Sequence, residues 1–265
     1  MKIKDIIKEI EEYAPLALQE SYDNAGLQVG DVDRQATGVL LCLDVVESII
    51  DEACALNCNL IISHHPVIFN PLKSLTGKNY IERCIIKAIQ KGIVIYSAHT
   101  NLDNAIGGIN CKIAEKTGLQ NIRILSLLPN PVSNVLGQGG AGVIGELASS
   151  MREQTFLKQL KDIFRLDTLK HSPLRNKEVK KIAVCGGSGS FLIQDAIAAG
   201  ADVFMTGEAK YNDYYNVEKN ILLVVIGHYE SEVCAKEIFF EIITKKFPDI
   251  AVYVSNINSN PVNYL

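Results

Sequence analysis

Three short, β-rich apolar runs, each ending in a packet of histidine and carboxylate, most constrain how this chain can fold. Asn59-Leu60-Ile61-Ile62 leads into Ser63-His64-His65-Pro66, and Ile93-Val94-Ile95-Tyr96 into Ala98-His99-Thr100-Asn101-Leu102-Asp103. The run from Ile221 to Ile226 leads into Gly227-His228-Tyr229-Glu230-Ser231-Glu232, which opens a helix. Runs of this length read as strands, and an α/β sheet gathers its functional groups in the crevice outside the carboxyl ends of its strands. Four of the five histidines fall in these packets; His171 lies elsewhere.

Adjacent residues on a strand point to opposite faces, so His64 and His65 can serve one site only if the backbone leaves the strand there. Pro66 gives a reason, because it excludes His65 from the helical region. Two ligands diverging from one loop suit a pair of ions about 3.5–4 Å apart better than a single ion. His228 and Glu232 stand at i and i+4 at a helix start, which stacks them on one face. Each packet has a bland alternative: loop hydrogen bonds for the histidine pair, a helix cap or Asx turn for Asp103, a cap plus surface carboxylate for His228 and Glu232. Three such coincidences at three strand ends would be needed, so a metal centre is the reading. Histidine and carboxylate without thiolate indicate zinc, manganese, iron or magnesium, and the histidines favour the first three.

Around the packets, strands and helices alternate. Ile3, Ile6, Ile7 and Ile10 predict an amphipathic helix over 2–13, followed by a turn-rich stretch at 21–31. Strands are expected at 38–43, 59–62 and 93–97, with helices at 46–56, 79–91 and 107–117. Pro129, Pro131 and the glycines from Gly137 to Gly142 mark a linker or domain entry. Beyond it the pattern predicts strands near 142–147, 166–170, 181–185, 202–205, 221–226 and 250–254, and helices at 153–164, 189–199, 209–219 and 230–246. The expected fold is α/β, with two αβα-type lobes, largely parallel or mixed sheets, and the metal site at strand ends between the lobes. The first lobe is expected to comprise 1–127 plus 226–265 and to carry the metal ligands; the second comprises 128–225.

Gly186-Gly187-Ser188-Gly189 lacks the lysine of a phosphate-binding loop and is not a dinucleotide fingerprint. It reads as a tight strand-to-helix turn with Ser188 as N-cap, with an anion cradle as the alternative. Seven scattered cysteines, without a CxxC pair and mostly inside apolar runs, read as reduced core thiols. A net charge of −4 lends no support to nucleic-acid binding. No apolar run is long enough for a membrane span and the N-terminal stretch has no signal core, so a cytoplasmic location is expected.

With these residues in place, the chain resembles the Nif-three-like family, whose members are also known as GTP cyclohydrolase I type 2 homologues. The carriers are Tyr22-Asp23-Asn24-Ala25-Gly26-Leu27-Gln28-Val29-Gly30, Ser63 to Phe69, Ser97 to Asp103, Thr206-Gly207-Glu208-Ala209-Lys210-Tyr211-Asn212-Asp213, and Gly227 to Glu232. The resemblance implies a dinuclear metal site on His64, His65, Asp103, His228 and Glu232, with Glu232 bridging. It also implies a ring-shaped homohexamer whose sites face an internal cavity. Tyr22 stands where the family usually has tryptophan, and Asn212 where many members have histidine. The chain is the short form, without an inserted middle domain. The function expected is metal-dependent hydrolysis of a small substrate, a guanine nucleotide by the family name, with two ions of zinc, iron or manganese and His99 as orienting group or proton carrier. The alternative is a metal-binding assembly or regulatory scaffold without turnover.

Overall fold

The alternation of strands and helices is realised in a computed structural model that describes residues 1–128 and 139–265. Packing divides the chain into two units, one of residues 1–102 with 235–265 and one of residues 103–234.

The first unit opens with α1 (Ile3–Tyr13), which buries Ile3, Ile6, Ile7 and Ile10 as their spacing predicts. Then come β1 (Gly26–Val29), β2 (Val39–Cys42), α2 (Glu47–Ala55), β3 (Leu60–Ser63), α3 (Tyr80–Lys91) and β4 (Val94–Ser97). The Asn79 side chain accepts from the Glu82 amide to start α3, and Gly92, at φ +64°, ends it. The short α4 (Thr100–Asp103) runs up to the unit boundary. Strands β2, β3 and β4 are parallel and buried at every position, as strands covered on both faces are. Their register aligns Cys42 with Ser63 and Ser63 with Ser97, so the three strands end level. Whatever follows them lies along one edge.

The second unit runs through α5 (Ile109–Lys116), β5 (Gln120–Leu127), β6 (Gly140–Arg152), α6 (Glu153–Phe164), β7 (Lys170–His171) and β8 (Glu178–Cys185). It continues with α7 (Ile193–Ala198), β9 (Val203–Thr206), α8 (Asp213–Asn216), β10 (Leu222–Val225) and α9 (His228–Glu232). The six strands are ordered β5-β6-β8-β9-β10-β7. Its centre, β8-β9-β10, is parallel, with Cys185 and Val225 both level with Thr206. The flanks are antiparallel. The chain then returns to the first unit as α10 (Ala235–Lys246) and β11 (Val252–Val254), which pairs in parallel with β2. The first sheet is therefore ordered β1-β4-β3-β2-β11, with β1 antiparallel.

Several expectations are corrected. Residues 26–29, read as turn, form a strand on the edge of the first sheet, held by pairing with β4. The helix expected over 230–246 is two, α9 and α10, because the chain passes between units at Cys234–Ala235. Only four residues of the helix expected at 209–219 are helical, and Glu218 and Lys219 take positive φ. The strand expected at 166–170 shrinks to Lys170–His171. Pro129, Pro131 and Gly137 of the expected linker lie outside the described residues. The units also divide elsewhere than at 127 and 225, because β5 pairs with β6 and α5 packs against β6. The expected ligands are consequently not all in the first unit: His64 and His65 belong to it, while Asp103, His228 and Glu232 belong to the second.

Candidate metal centre

In the first unit, the backbone amides of His64 and His65 both donate to the Leu43 carbonyl, at 3.2 and 3.0 Å. That shared acceptor takes the chain out of the β3 ladder, as two adjacent histidines serving one site require. The Ser63 hydroxyl ties the loop back by donating to the His65 carbonyl at 2.9 Å. Both rings then gather with His99, which follows β4. The centroid separations are 5.0, 5.3 and 5.5 Å, and the three side chains can present nitrogens within 4.8 Å of one another.

Each of these rings is oriented through Nδ1. His64 Nδ1 lies 2.8 Å from the Ala98 carbonyl oxygen. A carbonyl only accepts, so Nδ1 carries a proton and, in the neutral ring, Nε2 carries the lone pair a metal needs. His65 Nδ1 lies 2.7 Å from Asp44 Oδ1, and Asp44 Oδ2 accepts from the Ser259 hydroxyl at 2.6 Å. His99 Nδ1 lies 2.7 Å from Asp23 Oδ1, whose other oxygen accepts from the Thr100 amide and hydroxyl. Carboxylates placed behind ligating histidines in this way fix the tautomer and raise basicity.

The carboxylates respond to their surroundings. Burial pushes Asp44 up, but the hydrogen bond and charge of His65, the Ser259 hydroxyl and the charge of His64 outweigh it and hold its pKa below the usual value. Burial likewise pushes Asp23 up, but hydrogen bonds from His99 and Thr100, the His99 charge and the Asn24 amide bring it down to about 2. Phe69 stands edge-on to His99 with centroids 6.0 Å apart.

In the second unit, α9 places His228 Nε2 3.0 Å from Glu232 Oε2, the i,i+4 pairing that the spacing predicts. His228 Nδ1 faces Glu208 Oε1 at 3.0 Å. The Ser231 hydroxyl donates to the His228 carbonyl and accepts from the Gly187 amide, fastening α9 to the loop after β8. Asp103 does not cap α5, whose N-cap position is Gly108. Its carbonyl accepts from Asn110 Nδ2, and Asn110 Oδ1 accepts from the Gly186 amide, so Asp103 is tied to that same loop.

The glycine string has a role the sequence did not disclose. A Cβ on Gly187 would overlap the Glu232 carboxylate, and one on Gly186 would touch Glu232 Cγ at 3.6 Å. The glycines make room for Glu232. Ser188 occupies the N-cap position of a short 3-10 turn, Gly189–Leu192, but makes no cap bond; its hydroxyl donates to Glu208 Oε2 at 2.7 Å. Asp23, Asp44 and Glu208 were missed as partners of the histidines. Asp23 and Glu208 lie inside the motif stretches, and Asp44 follows a strand as the histidine packets do, which was the available signal.

These donors fit a divalent ion: three imidazoles, of His64, His65 and His99, with Nδ1 hydrogen-bonded, carboxylates beside the histidines, and no cysteine in either set. The folded chain is thus an α/β protein of two mixed sheets carrying histidine and carboxylate groups able to bind metal. Among proteins of known sequence it is 37% identical over 235 residues to a GTP cyclohydrolase 1 type 2 homolog of Clostridium perfringens, covering 88% of this chain and 87% of the relative. A protein of the same name from Clostridium acetobutylicum is 34% identical over 234 residues, covering 88% and 85%. The fold matches that of Staphylococcus aureus protein SA1388 with a TM-score of 0.91 at 30% identity, covering 100% of this chain and 99% of that one. The model of the DUF34/NIF3 (NGG1p interacting factor 3) family matches residues 1–261, and the chain belongs to that family. Among the described residues no helix is long and apolar enough to cross a membrane.

Proposed function

We propose that this chain is a metal-dependent hydrolase of a small substrate, in which His64, His65, Asp103, His228 and Glu232 hold two divalent ions of zinc, iron or manganese. The supporting observation is the orientation of His64, His65 and His99 through Nδ1, each against an oxygen acceptor. Such ions, when bound, acidify water and polarise an electrophile. Asp44 holds the His65 ring in its ligating tautomer, with Ser259 fixing Asp44. His99, held by Asp23, gives or takes a proton at Nε2. Glu232 would supply carboxylate charge to hold the cations. The relatives' name makes a guanine nucleotide the first substrate to assay. A homohexamer in the cytoplasm, with no nucleic-acid partner, belongs to the same reading.

The test pairs elemental analysis with a hydrolase panel of GTP and simple phosphoesters. His64→Ala and His228→Ala should each lower bound metal substantially, and His171→Ala should not. Unchanged metal in both site variants rules out the site. Tightly bound metal without turnover on any substrate replaces the hydrolase with a metal-binding scaffold.

A further inference from the structure

The second unit carries a pocket that the metal reading leaves unused. Its volume is about 330 Å³, and its lining includes Lys170, Ser188, Ser190, Glu208 and Lys210. The topology explains why these residues meet. Ser188 and Ser190 follow β8, Glu208 and Lys210 follow β9, and Lys170 lies on β7, paired in register with Val225 at the end of β10. The three parallel strands end level, so the pocket sits at their carboxyl ends, where open α/β sheets bind ligands.

The charges in the pocket are unequally engaged. Glu208 Oε2 accepts from the Ser188 hydroxyl at 2.7 Å, and its Oε1 lies 3.0 Å from His228 Nδ1. Among the described residues, neither the Lys170 nor the Lys210 ammonium forms an ion pair, and both line this pocket. Two lysines whose ammoniums form no ion pair, together with Ser190, line one concavity on a chain whose net charge is −4. Lysine acts on phosphate as a point charge with three donors. Glu208 joins the pocket to His228, so a ligand seated there lies one side chain from a proposed metal ligand.

We propose that this pocket binds the phosphate group of a phosphorylated small-molecule substrate, with Lys170 and Lys210 as its cations and Ser190 as a hydroxyl donor. The proposal rests on the metal-dependent reading, because it supplies the substrate class for that site.

The test is titration calorimetry of the metal-loaded protein with pyrophosphate, alongside elemental analysis of the same preparations. The wild type, Lys170→Ala/Lys210→Ala and a control, Lys177→Ala/Lys180→Ala, are compared at fixed ionic strength. The expected result is wild-type metal content throughout, with pyrophosphate affinity at least about tenfold weaker in the pocket variant alone. Wild-type affinity in the pocket variant, or equal weakening in the control, overturns the pocket. Absence of pyrophosphate binding to the wild type overturns it as well. Wild type that holds no metal yet binds pyrophosphate through the two lysines refutes the metal reading and leaves the anion pocket standing.

Discussion

Glu232 occupies the space that a side chain on Gly187 would fill, and Gly187 holds a φ of +54° that L-residues rarely adopt. The loop after β8 and the carboxylate on α9 are thus fitted to each other, although Gly187 and Glu232 stand 45 positions apart in sequence.

Gly187→Ala should therefore do two kinds of damage. Positive φ costs an L-residue about 1–2 kcal/mol, and the new methyl displaces the Glu232 carboxylate. Gly200, at φ +70° with nothing within 4 Å of an added Cβ, isolates the first effect. Both alanine variants should lose stability in denaturant melts, Gly187→Ala at least as much as Gly200→Ala, while only Gly187→Ala should lose metal by elemental analysis. Equal metal content in the two would break the link between the glycine and the site.

Asp23 should give acid stability a recognisable signature. Its folded pKa, about 2, lies below the unfolded value of about 3.9, so its contribution is fully present above that unfolded value. It is lost as pH falls through the folded pKa. Its carboxylate is buried, and the contribution is roughly 2 kcal/mol. Urea midpoints measured from pH 5 down to pH 2 should fall more steeply in wild type than in Asp23→Asn. Parallel profiles would contradict it.

The cysteines should all titrate as thiols in denaturant without reductant, since none is paired in the structure. In the native state Cys54, which is exposed, should react first with a thiol reagent. Cys58 and Cys84 should lag, because burial raises each thiol to about 11 and leaves little thiolate at neutral pH. Mass spectrometry of partially alkylated protein reads the order directly; early labelling of Cys84 would go against it.

Glu232→Gln should cost turnover at least about tenfold, because the amide keeps the shape and removes the charge. His99→Asn should damage turnover more than metal content if His99 moves a proton and does not ligate. Measuring both quantities on the same preparations separates the roles. A His99 variant that loses metal as fully as His64→Ala would make His99 a ligand.

Much of this was readable in the sequence because it is encoded locally. The buried parallel strands announce themselves as unbroken apolar runs, and the i,i+4 spacing of His228 and Glu232 foretold their contact. What escaped has long-range causes. β5 alternates only weakly between exposed and part-buried positions, so pairing with β6 defines it. Asp44 looks like any turn residue until Ser259, 215 positions later, and His65 claim its two oxygens. The glycines after β8 read as a tight turn, with an anion cradle as the alternative, until Glu232 is placed against Gly187.

The return of β11 to the side of β2 also bears on biosynthesis. A ribosome that has released residues 1–234 has delivered the whole second unit, yet the first sheet still lacks α10 and its last strand. Until those residues emerge, β2, apolar along its whole length, presents an unpaired edge to solvent. The Asp44 support behind His65 waits as well, for it needs Ser259. Synthesis thus sets an order in which the interrupted half of the molecule matures last, and a nascent-chain chaperone has one defined strand edge to guard.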